Sequence, residues 1–429
     1  MANVGDKVKV FCKNDVLEGV LMPEEDSNII FLKLVSGYNV GLKKSEIKKI
    51  EVLKKYKEIS EKSSKPVMKK GLKTISILHT GGTIASKVDY STGAVIAKFT
   101  EDDLLNLFPE IKGLANIKSK LVRNMQSEMM RFPHYNILAK AVAEEVKKGV
   151  DGIILTQGTD TIHYTSAALS FAFEGLGIPV IIVGSQRSSD RGSTDSAMNL
   201  LSAALFITKT DFSGVGVCMH ENTNDKICWI LPGTKVRKMH TSRRDAFRPI
   251  NAGPIARINY EKETVTFATT YEKKDLKKKL TLKLFDEKLK IGLIKPHVHM
   301  YASEFEAFKN FDGLVIELLG IGHIPSMKVD EFTGENEKIL KAVQSLAKKM
   351  PVVVAPQTIY GRIDMNVYSP GRDLIKAGVI GNYSDMTPET AFIKLAWLLS
   401  NHKKDVKELF EKNLRGELSE RSEREEFLI

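Results

Sequence analysis

Two Gly-Thr turns in the sequence carry threonine hydroxyls that could act as nucleophiles. Thr80-Gly-Gly-Thr83 follows the apolar run Thr74–His79, and Gln157-Gly-Thr-Asp160 follows the apolar run Gly152–Thr156. An apolar run that stops at glycine predicts a buried strand ending in a tight turn, where the main chain is open to a ligand. Ligands bind at the carboxyl ends of strands in open α/β sheets. We therefore expect the two turns to meet in one pocket for a small polar ligand.

Each turn also has a purely structural interpretation. Thr83 and Asp160 are of residue types that commonly cap helices. The unpaired amides at the start of the helix expected from Thr161 would attract an anion. A threonine hydroxyl is a weak nucleophile that needs a neighbouring base. Either turn alone therefore leaves capping and catalysis open, whereas two such turns in one domain favour catalysis.

The elements that must position these turns alternate between strands and helices. Strands are predicted at residues 75–79, 152–156, 180–183 and 214–218, and helices at residues 134–148, 161–173 and 194–206. This alternation predicts a mostly parallel sheet covered by helices. Residues 251–270 resemble a β-hairpin. A second α/β unit is predicted from strands at residues 291–295, 313–318 and 352–355 and a helix at residues 336–349.

The two ends of the chain have different patterns. The first 50 residues alternate apolar and polar positions, which predicts four or five short strands and a small β-barrel of the SH3 or Sm-like kind. Near the other end, Thr387 is the expected cap of a helix that begins at Pro388, and the charged tail at residues 404–425 is expected to be helical.

The predicted fold class is therefore α/β with three parts. The β-barrel and a Lys-rich linker occupy residues 1–70, an α/β domain with the catalytic motifs occupies residues 71–275, and a smaller C-terminal α/β domain occupies residues 290–429.

Composition narrows the class of protein. The 429 residues are 42% hydrophobic and 27% charged, with a net charge of +11. No apolar run approaches the ~20 residues of a membrane span, and the N-terminus lacks the plan of a secretory signal. The three cysteines have no C-x-x-C spacing, so we expect a reducing cytoplasm. The positive charge would suit a polyanionic partner, but Lys-rich surfaces are common, so charge alone favours an ordinary surface over contact with nucleic acid.

Four motifs resemble those of the bacterial-type L-asparaginase/glutaminase family. They are Thr80-Gly-Gly-Thr-Ile-Ala85, Tyr90-Ser-Thr-Gly93, Gly158-Thr-Asp-Thr161 and Thr234-Lys-Val-Arg-Lys-Met-His-Thr241. The resemblance spans about residues 73–400 and implies two asparaginase-type α/β domains. It also implies hydrolysis of the side-chain amide of glutamine or asparagine.

The resemblance implies a role for each candidate catalytic residue. Thr83 would attack the amide carbon, and Tyr90 would handle its proton. Thr159, Asp160 and Lys238 would form a second catalytic set, in which Asp160 orients Lys238 and binds the substrate's α-ammonium group. Without the motif, Lys238 would be one of many surface lysines.

Besides Asp160, four residues are expected to contact the substrate: Gly82, Gln126, Ser127 and Gly158. Backbone amides at the two Gly-Thr turns would stabilise the oxyanion. The serine with which the family binds the substrate α-carboxylate corresponds to Gln126, with Ser127 beside it. The sequence departs from the family pattern at this contact.

No metal or cofactor is expected in this chain. His297 and His299 alternate on an expected strand, so they would face opposite sides, and no acidic or cysteine residue flanks them. His323 lies near a loop that completes a neighbouring subunit's site in family tetramers. The simpler interpretation, which we prefer, is that it is a loop histidine and not a ligand.

The N-terminal module and one segment of the asparaginase-like core carry a second resemblance, to the D subunits of archaeal glutamyl-tRNA(Gln) amidotransferases. Glu18-Gly-Val-Leu-Met22, Gly37-Tyr-Asn-Val-Gly41 and residues 184–195 carry it. A D subunit releases ammonia from glutamine, and its partner, the amidotransferase E subunit, uses ATP to convert Glu-tRNA(Gln) to Gln-tRNA(Gln). The resemblance implies ATP and Mg on the E subunit, a homodimer of this chain within a heterotetramer, and tRNA(Gln) contact through the complex.

Three hypotheses follow. The chain is the glutaminase subunit of such an amidotransferase, an autonomous cytoplasmic L-asparaginase with an accessory barrel, or a nucleic-acid-binding protein with an inactive core. The third predicts salt-dependent RNA binding without ammonia release. The intact set of candidate catalytic residues argues against it.

Overall fold

The computed structural model of the chain describes residues 2–13, 15–23, 28–34, 39–55, 68–82, 87–88, 95–96, 108–187, 193–424 and 427. Within these ranges, no helix is both long and apolar enough to cross a membrane. The described residues confirm the predicted fold class of a small β module followed by two α/β units.

The N-terminal module is an antiparallel sheet. Its strands are β1 (Lys7–Cys12), β2 (Val16–Leu21), β3 (Ile29–Leu34), β4 (Asn39–Lys43) and β5 (Ile47–Lys54). They lie in the order β4-β3-β2-β1-β5, and register shifts between β1 and β5 mark the irregularities that bend such sheets. Alternate side chains of β1 point inward, so Val8 and Val10 are buried together with Leu32.

The larger α/β unit contains most of the strands. They are β6 (Thr74–His79), β7 (Lys87–Val88), β8 (Val95–Ile96), β9 (Asn116–Leu121), β10 (Gly152–Thr156), β11 (Phe173–Glu174), β12 (Pro179–Val183), β13 (Gly214–His220), β14 (Ile227–Pro232), β15 (Val236–Lys238), β16 (Phe247–Pro249), β17 (Ala256–Asn259), β18 (Thr264–Phe267) and β19 (Thr281–Leu282).

Eight of these strands form one sheet, in the order β18-β17-β14-β13-β12-β10-β6-β9. The pairings from β13 to β9 are all parallel, whereas β14, β17 and β18 extend the sheet in antiparallel pairs. The predicted hairpin is the pair β17–β18. Three two-stranded ribbons complete the unit: β7–β8, β11–β19 and β15–β16.

Helices cover both faces of this sheet. They are α1 (Ile111–Leu114), α2 (Phe132–Lys147), α3 (Ile162–Ala172) and α4 (Ser196–Lys209). Side chains alternate along each strand, so Leu155 joins the core under α2 and α3, whereas Ile154 joins the core under α4. Burial on both faces explains why these strands are continuous apolar runs.

The smaller unit is a parallel sheet with helices. It contains β20 (Ile291–Ile294), α5 (Ala302–Glu306), β21 (Gly313–Leu318), α6 (Gly334–Ala347), β22 (Val352–Pro356), α7 (Ser369–Lys376), α8 (Pro388–Asn401) and α9 (Val406–Phe410). Thr387 caps α8 as predicted, because its Oγ1 accepts a hydrogen bond from the Thr390 amide. Helix α8 packs on α3, with the Phe171 and Trp397 rings 5.5 Å apart.

Two local predictions were wrong. The tail at residues 404–425 is not one helix, because in its described part only α9 and a turn at Arg424 are helical. Glu417 in this tail is fully buried and forms an ion pair with Lys394, and Gly416 has a positive φ of 79°. Tertiary contacts therefore take the place of helical hydrogen bonds in this segment. His297 and His299 lie in a turn after β20 rather than on a strand, and His297 faces Glu304.

Candidate active site

The carboxyl ends of three parallel strands lie side by side. His79 at the end of β6 is in register with Thr156 of β10 and with Leu121 of β9. The described part of the first turn, Thr80-Gly81-Gly82, follows β6 directly and the second turn follows β10, so the sheet places these residues at one edge. We call Gly81, Gly82, Ser127, residues 158–160 and Lys238 the catalytic edge.

Glycine is required at the first turn for two reasons. Gly81 and Gly82 both have positive φ, 96° and 83°. A Cβ on Gly82 would lie 2.4 Å from the Gly158 amide nitrogen, and a Cβ on Gly81 would lie 2.8 Å from the Met125 nitrogen. The main chains of the two turns therefore touch, and a side chain at Gly82 would separate them.

Lys238 unites the second candidate set. It lies in β15, and its Nζ donates hydrogen bonds to Thr159 Oγ1 at 2.9 Å and to Asp160 Oδ1 at 2.7 Å. The Lys238 side chain is 11% exposed and that of Asp160 is 65% exposed. The lysine is therefore held on both residues of the turn, while the carboxylate remains open to a ligand.

The structure distinguishes the two neighbouring residues Gln126 and Ser127. Gln126 is exposed, whereas Ser127 is buried, and a Cβ on Gly158 would lie 3.1 Å from Ser127 Oγ. Thr161 Oγ1 donates to the Ser127 carbonyl at 2.7 Å, which ties this segment to the second turn. The buried Ser127 Oγ has no hydrogen-bond partner within the described residues. Of the two, Ser127 is the residue packed against the second turn, at Gly158.

One supporting residue was missed by the sequence analysis. His79 is buried, and its ring nitrogens lie 2.8 Å from Thr156 Oγ1 and 2.8 Å from Ser119 Oγ. It thereby links β10 and β9 to β6 at their carboxyl ends. Burial lowers the pKa of His79 to about 4, so the ring is neutral at pH 7. The sequence signal that could have identified this residue is a histidine at the end of an apolar strand.

A second supporting residue, Asp195, fixes the loop after β12. Its carboxylate accepts hydrogen bonds from Ser185 Oγ and from the amides of Gln186 and Arg187. This loop begins at Gly184, whose added Cβ would lie 2.8 Å from Thr159 Cγ2. Asp195 precedes α4 in the sequence, where an aspartate is indistinguishable from an ordinary helix cap.

Two predicted catalytic residues, Thr83 and Tyr90, lie outside the described residues, as do residues 188–192 of the loop discussed above. Gly82, Thr159, Asp160, Lys238, Ser127 and Gly158 come together. His323 lies in the smaller unit, where its ring is 5.1 Å from that of Tyr368. Within the described part of the chain, no group of three histidine, cysteine or acidic residues could hold a metal ion.

Comparison with family models identifies the class to which this fold and edge belong. The model for the asparaginase N-terminal domain matches residues 74–272, and that for the glutaminase/asparaginase C-terminal domain matches residues 290–411. The model for the GatD N-terminal domain matches residues 2–53. The chain is thus an asparaginase-type protein with an added N-terminal module.

Similar proteins narrow the class to a family. The glutamyl-tRNA(Gln) amidotransferase D subunit of Methanococcus maripaludis is 41% identical over 97% of this chain and 98% of its own length. That of Pyrococcus abyssi is 40% identical over 97% of this chain and 95% of its own. The chain belongs to the family of glutamyl-tRNA(Gln) amidotransferase D subunits. Among solved structures, the thermostable L-asparaginase from Thermococcus kodakarensis has a TM-score of 0.69 at 30% identity, covering 81% of this chain and 99% of its own.

Proposed function

We propose that this chain is the glutaminase subunit of a tRNA-dependent amidotransferase and uses Thr83 as its nucleophile. The observation that carries the proposal is the contact of Lys238 with Thr159 and Asp160, at the edge where Gly82 packs against Gly158. Gly82 is the residue that precedes Thr83 in the chain. The near full-length similarity to D subunits selects the amidotransferase over other asparaginase-type proteins.

The chemistry is amide hydrolysis in two steps. Thr83 Oγ attacks the side-chain amide carbon of glutamine or asparagine and forms an ester, while Tyr90 passes the hydroxyl proton toward the departing nitrogen and ammonia leaves. Water then attacks the ester and releases glutamate or aspartate. In this step Thr159 and Lys238 orient the water and transfer its proton to the departing Thr83 Oγ, which regenerates the threonine hydroxyl. Such proton transfer typically contributes ~10²–10⁴-fold to the rate.

The remaining residues of the edge hold the substrate. The exposed Asp160 carboxylate binds the α-ammonium group, and the Ser127 hydroxyl, with Gln126 beside it, binds the α-carboxylate. The backbone amides around Gly82 and Gly158 stabilise the oxyanion formed in each step. No cofactor is needed for this chemistry.

The D-subunit family implies partner subunits. In this proposal the partner is the amidotransferase E subunit, which holds ATP and Mg and amidates Glu-tRNA(Gln), and a homodimer of this chain forms the centre of a heterotetramer. Contact with tRNA(Gln) is made through the complex. The proposal also includes the predicted domain bounds, which are residues 1–70, 71–275 and 290–429. It further includes a cytoplasmic location, because the three free cysteines suit a reducing compartment.

The test is ammonia release from glutamine by the full-length chain, alone and with its partner. Thr83→Ala should abolish the release while the thermal unfolding midpoint is unchanged. Thr208→Ala is the matched control, because Thr208 lies on α4 and its hydroxyl bonds only the Leu205 carbonyl among described residues. Activity that survives in Thr83→Ala would move the nucleophile to Thr159. Full activity without the partner and a strong preference for asparagine would instead favour an autonomous asparaginase.

A further inference from the structure

The segment that carries Lys238 is held by the smaller domain. The Thr234 carbonyl accepts a hydrogen bond from Thr390 Oγ1 at 2.8 Å, and Lys235 Nζ lies 2.7 Å from Asp385 Oδ2. Two residues further on, Arg237 lies 3.1 Å from Glu389 Oε1. Thr234, Lys235 and Arg237 thus all bind the N-terminal turn of α8 or the residues just before it.

Neighbouring residues on a strand project to opposite sides. Arg237 and Lys238 are consecutive in β15, so the ion pair on one side of the strand fixes the direction of the lysine on the other side. Lys238 then reaches Thr159 and Asp160. The small-domain contact and the catalytic contact are therefore two sides of one short strand.

Glu389 also contacts α3, the helix that follows the Thr159–Asp160 turn. His163 follows Asp160 by three residues, and its Nε2 lies 3.8 Å from Glu389 Oε1. Glu389 is 7% exposed, and its Oε2 has no hydrogen-bond partner among the described residues. One buried carboxylate of the smaller domain thus lies between the Lys238 strand and the helix after the Thr159–Asp160 turn. We call His163, residues 234–237, Asp385, Glu389 and Thr390 the domain junction.

We infer that Glu389 is a positioning residue, which sets the distance between Lys238 and the Thr159–Asp160 turn. The inference rests on the proposed function, since it gives Glu389 a role in that same reaction. Glu389 does not touch the substrate in this scheme. It acts through Arg237 and His163, and a misplacement of about 1 Å in a catalytic group costs on the order of 100-fold in rate.

The experiment measures kcat and KM for glutamine in the full-length chain. Glu389→Gln keeps the shape of the side chain but removes its charge, and should lower kcat by roughly 10- to 100-fold with KM within about twofold. Because it leaves Arg237 unpaired, a second variant replaces both residues, Arg237→Met with Glu389→Met, and should show the same loss of kcat. Asn401→Ala is the control, since Asn401 lies at the far end of α8 and bonds the Leu284 carbonyl. It should leave kcat unchanged.

A double-variant cycle separates positioning from a general structural effect. If Glu389 acts through Lys238, then Glu389→Gln should have no further effect in a Lys238→Met background. An equal loss of kcat in both backgrounds would overturn the inference, as would a Glu389→Gln enzyme with wild-type kcat. Neither result would affect the proposed function. Failure of the wild-type chain to release ammonia from glutamine or asparagine, with or without its partner, would instead refute that function.

Discussion

The catalytic edge and the domain junction share one short segment but use its lysines differently. Lys238 and Lys235 each lie 2.7 Å from an aspartate oxygen. At the junction, the side chains of Lys235 and Asp385 are 2% and 0% exposed. At the edge, those of Lys238 and Asp160 are 11% and 65% exposed. A Lys–Asp ion pair is therefore shielded from solvent at the junction, whereas a second Lys–Asp pair is open to a ligand at the edge.

The difference in exposure matches a structural role for Lys235 and the catalytic role that we propose for Lys238. A sealed pair gains little net free energy on forming but is costly to break, because the remaining charge is left buried. An open pair contributes little to stability, yet its exposed carboxylate can exchange partners with a bound substrate. The two lysines should thus respond oppositely to the same substitution.

The largest effect is expected for activity at the edge. Lys238→Met should lower kcat/KM for glutamine by about 10²–10⁴-fold, because Thr159 and Asp160 lose their shared donor. The unfolding midpoint should change little, since the Asp160 side of the pair is solvated. Ammonia release and thermal unfolding measured on the same sample check both parts. A Lys238→Met protein that is active but unstable would reverse the assignment of the two regions.

The next effect is expected for stability at the junction. Lys235→Met should destabilise the two α/β units by up to about 3–5 kcal/mol, because the buried Asp385 carboxylate loses its cation at 2.7 Å and, among the described residues, keeps only the cation of Arg362, at 4.0 Å. Urea unfolding followed by tryptophan fluorescence suits this measurement, because Trp229 and Trp397, the two tryptophans of the chain, both lie in the α/β units.

The matched control for Lys235→Met removes both charges. Lys235→Met combined with Asp385→Leu should recover most of the lost stability, because neither charge of this pair remains buried and Arg362, the second cation near Asp385, is partly exposed. If the double variant is no more stable than Lys235→Met, then packing and the Ser419 contact of Lys235, rather than the charge pair, hold this junction together.

The edge was predictable from the sequence to a larger extent than the junction. Glycine pairs after apolar runs indicate turns through local physical rules, and Lys238 lies in a motif that can be recognised. The Lys235–Asp385 pair joins residues 150 positions apart, and nothing near either residue signals the other. The tail was predicted as a helix from its charge pattern, but burial of Glu417 on Lys394 overrides that local preference.

A buried histidine is found at each region: His79 ends the strand that leads into the catalytic edge, and His163 belongs to the domain junction. Burial lowers the pKa of both from 6.5 to about 4. Because the folded state keeps the rings neutral, each contributes stability above pH 6.5 that is lost as the pH falls towards 4, on the order of 3 kcal/mol per ring. Urea midpoints from pH 7.5 to 4.5 should therefore fall less steeply in His79→Gln and in His163→Gln than in the wild type.

The exposed His240 provides the control, and His240→Gln should follow the wild-type curve. A wild-type slope in His163→Gln alone would mean that Glu389 lets this ring take up a proton in the folded state, and the junction would then differ from the edge in its response to acid.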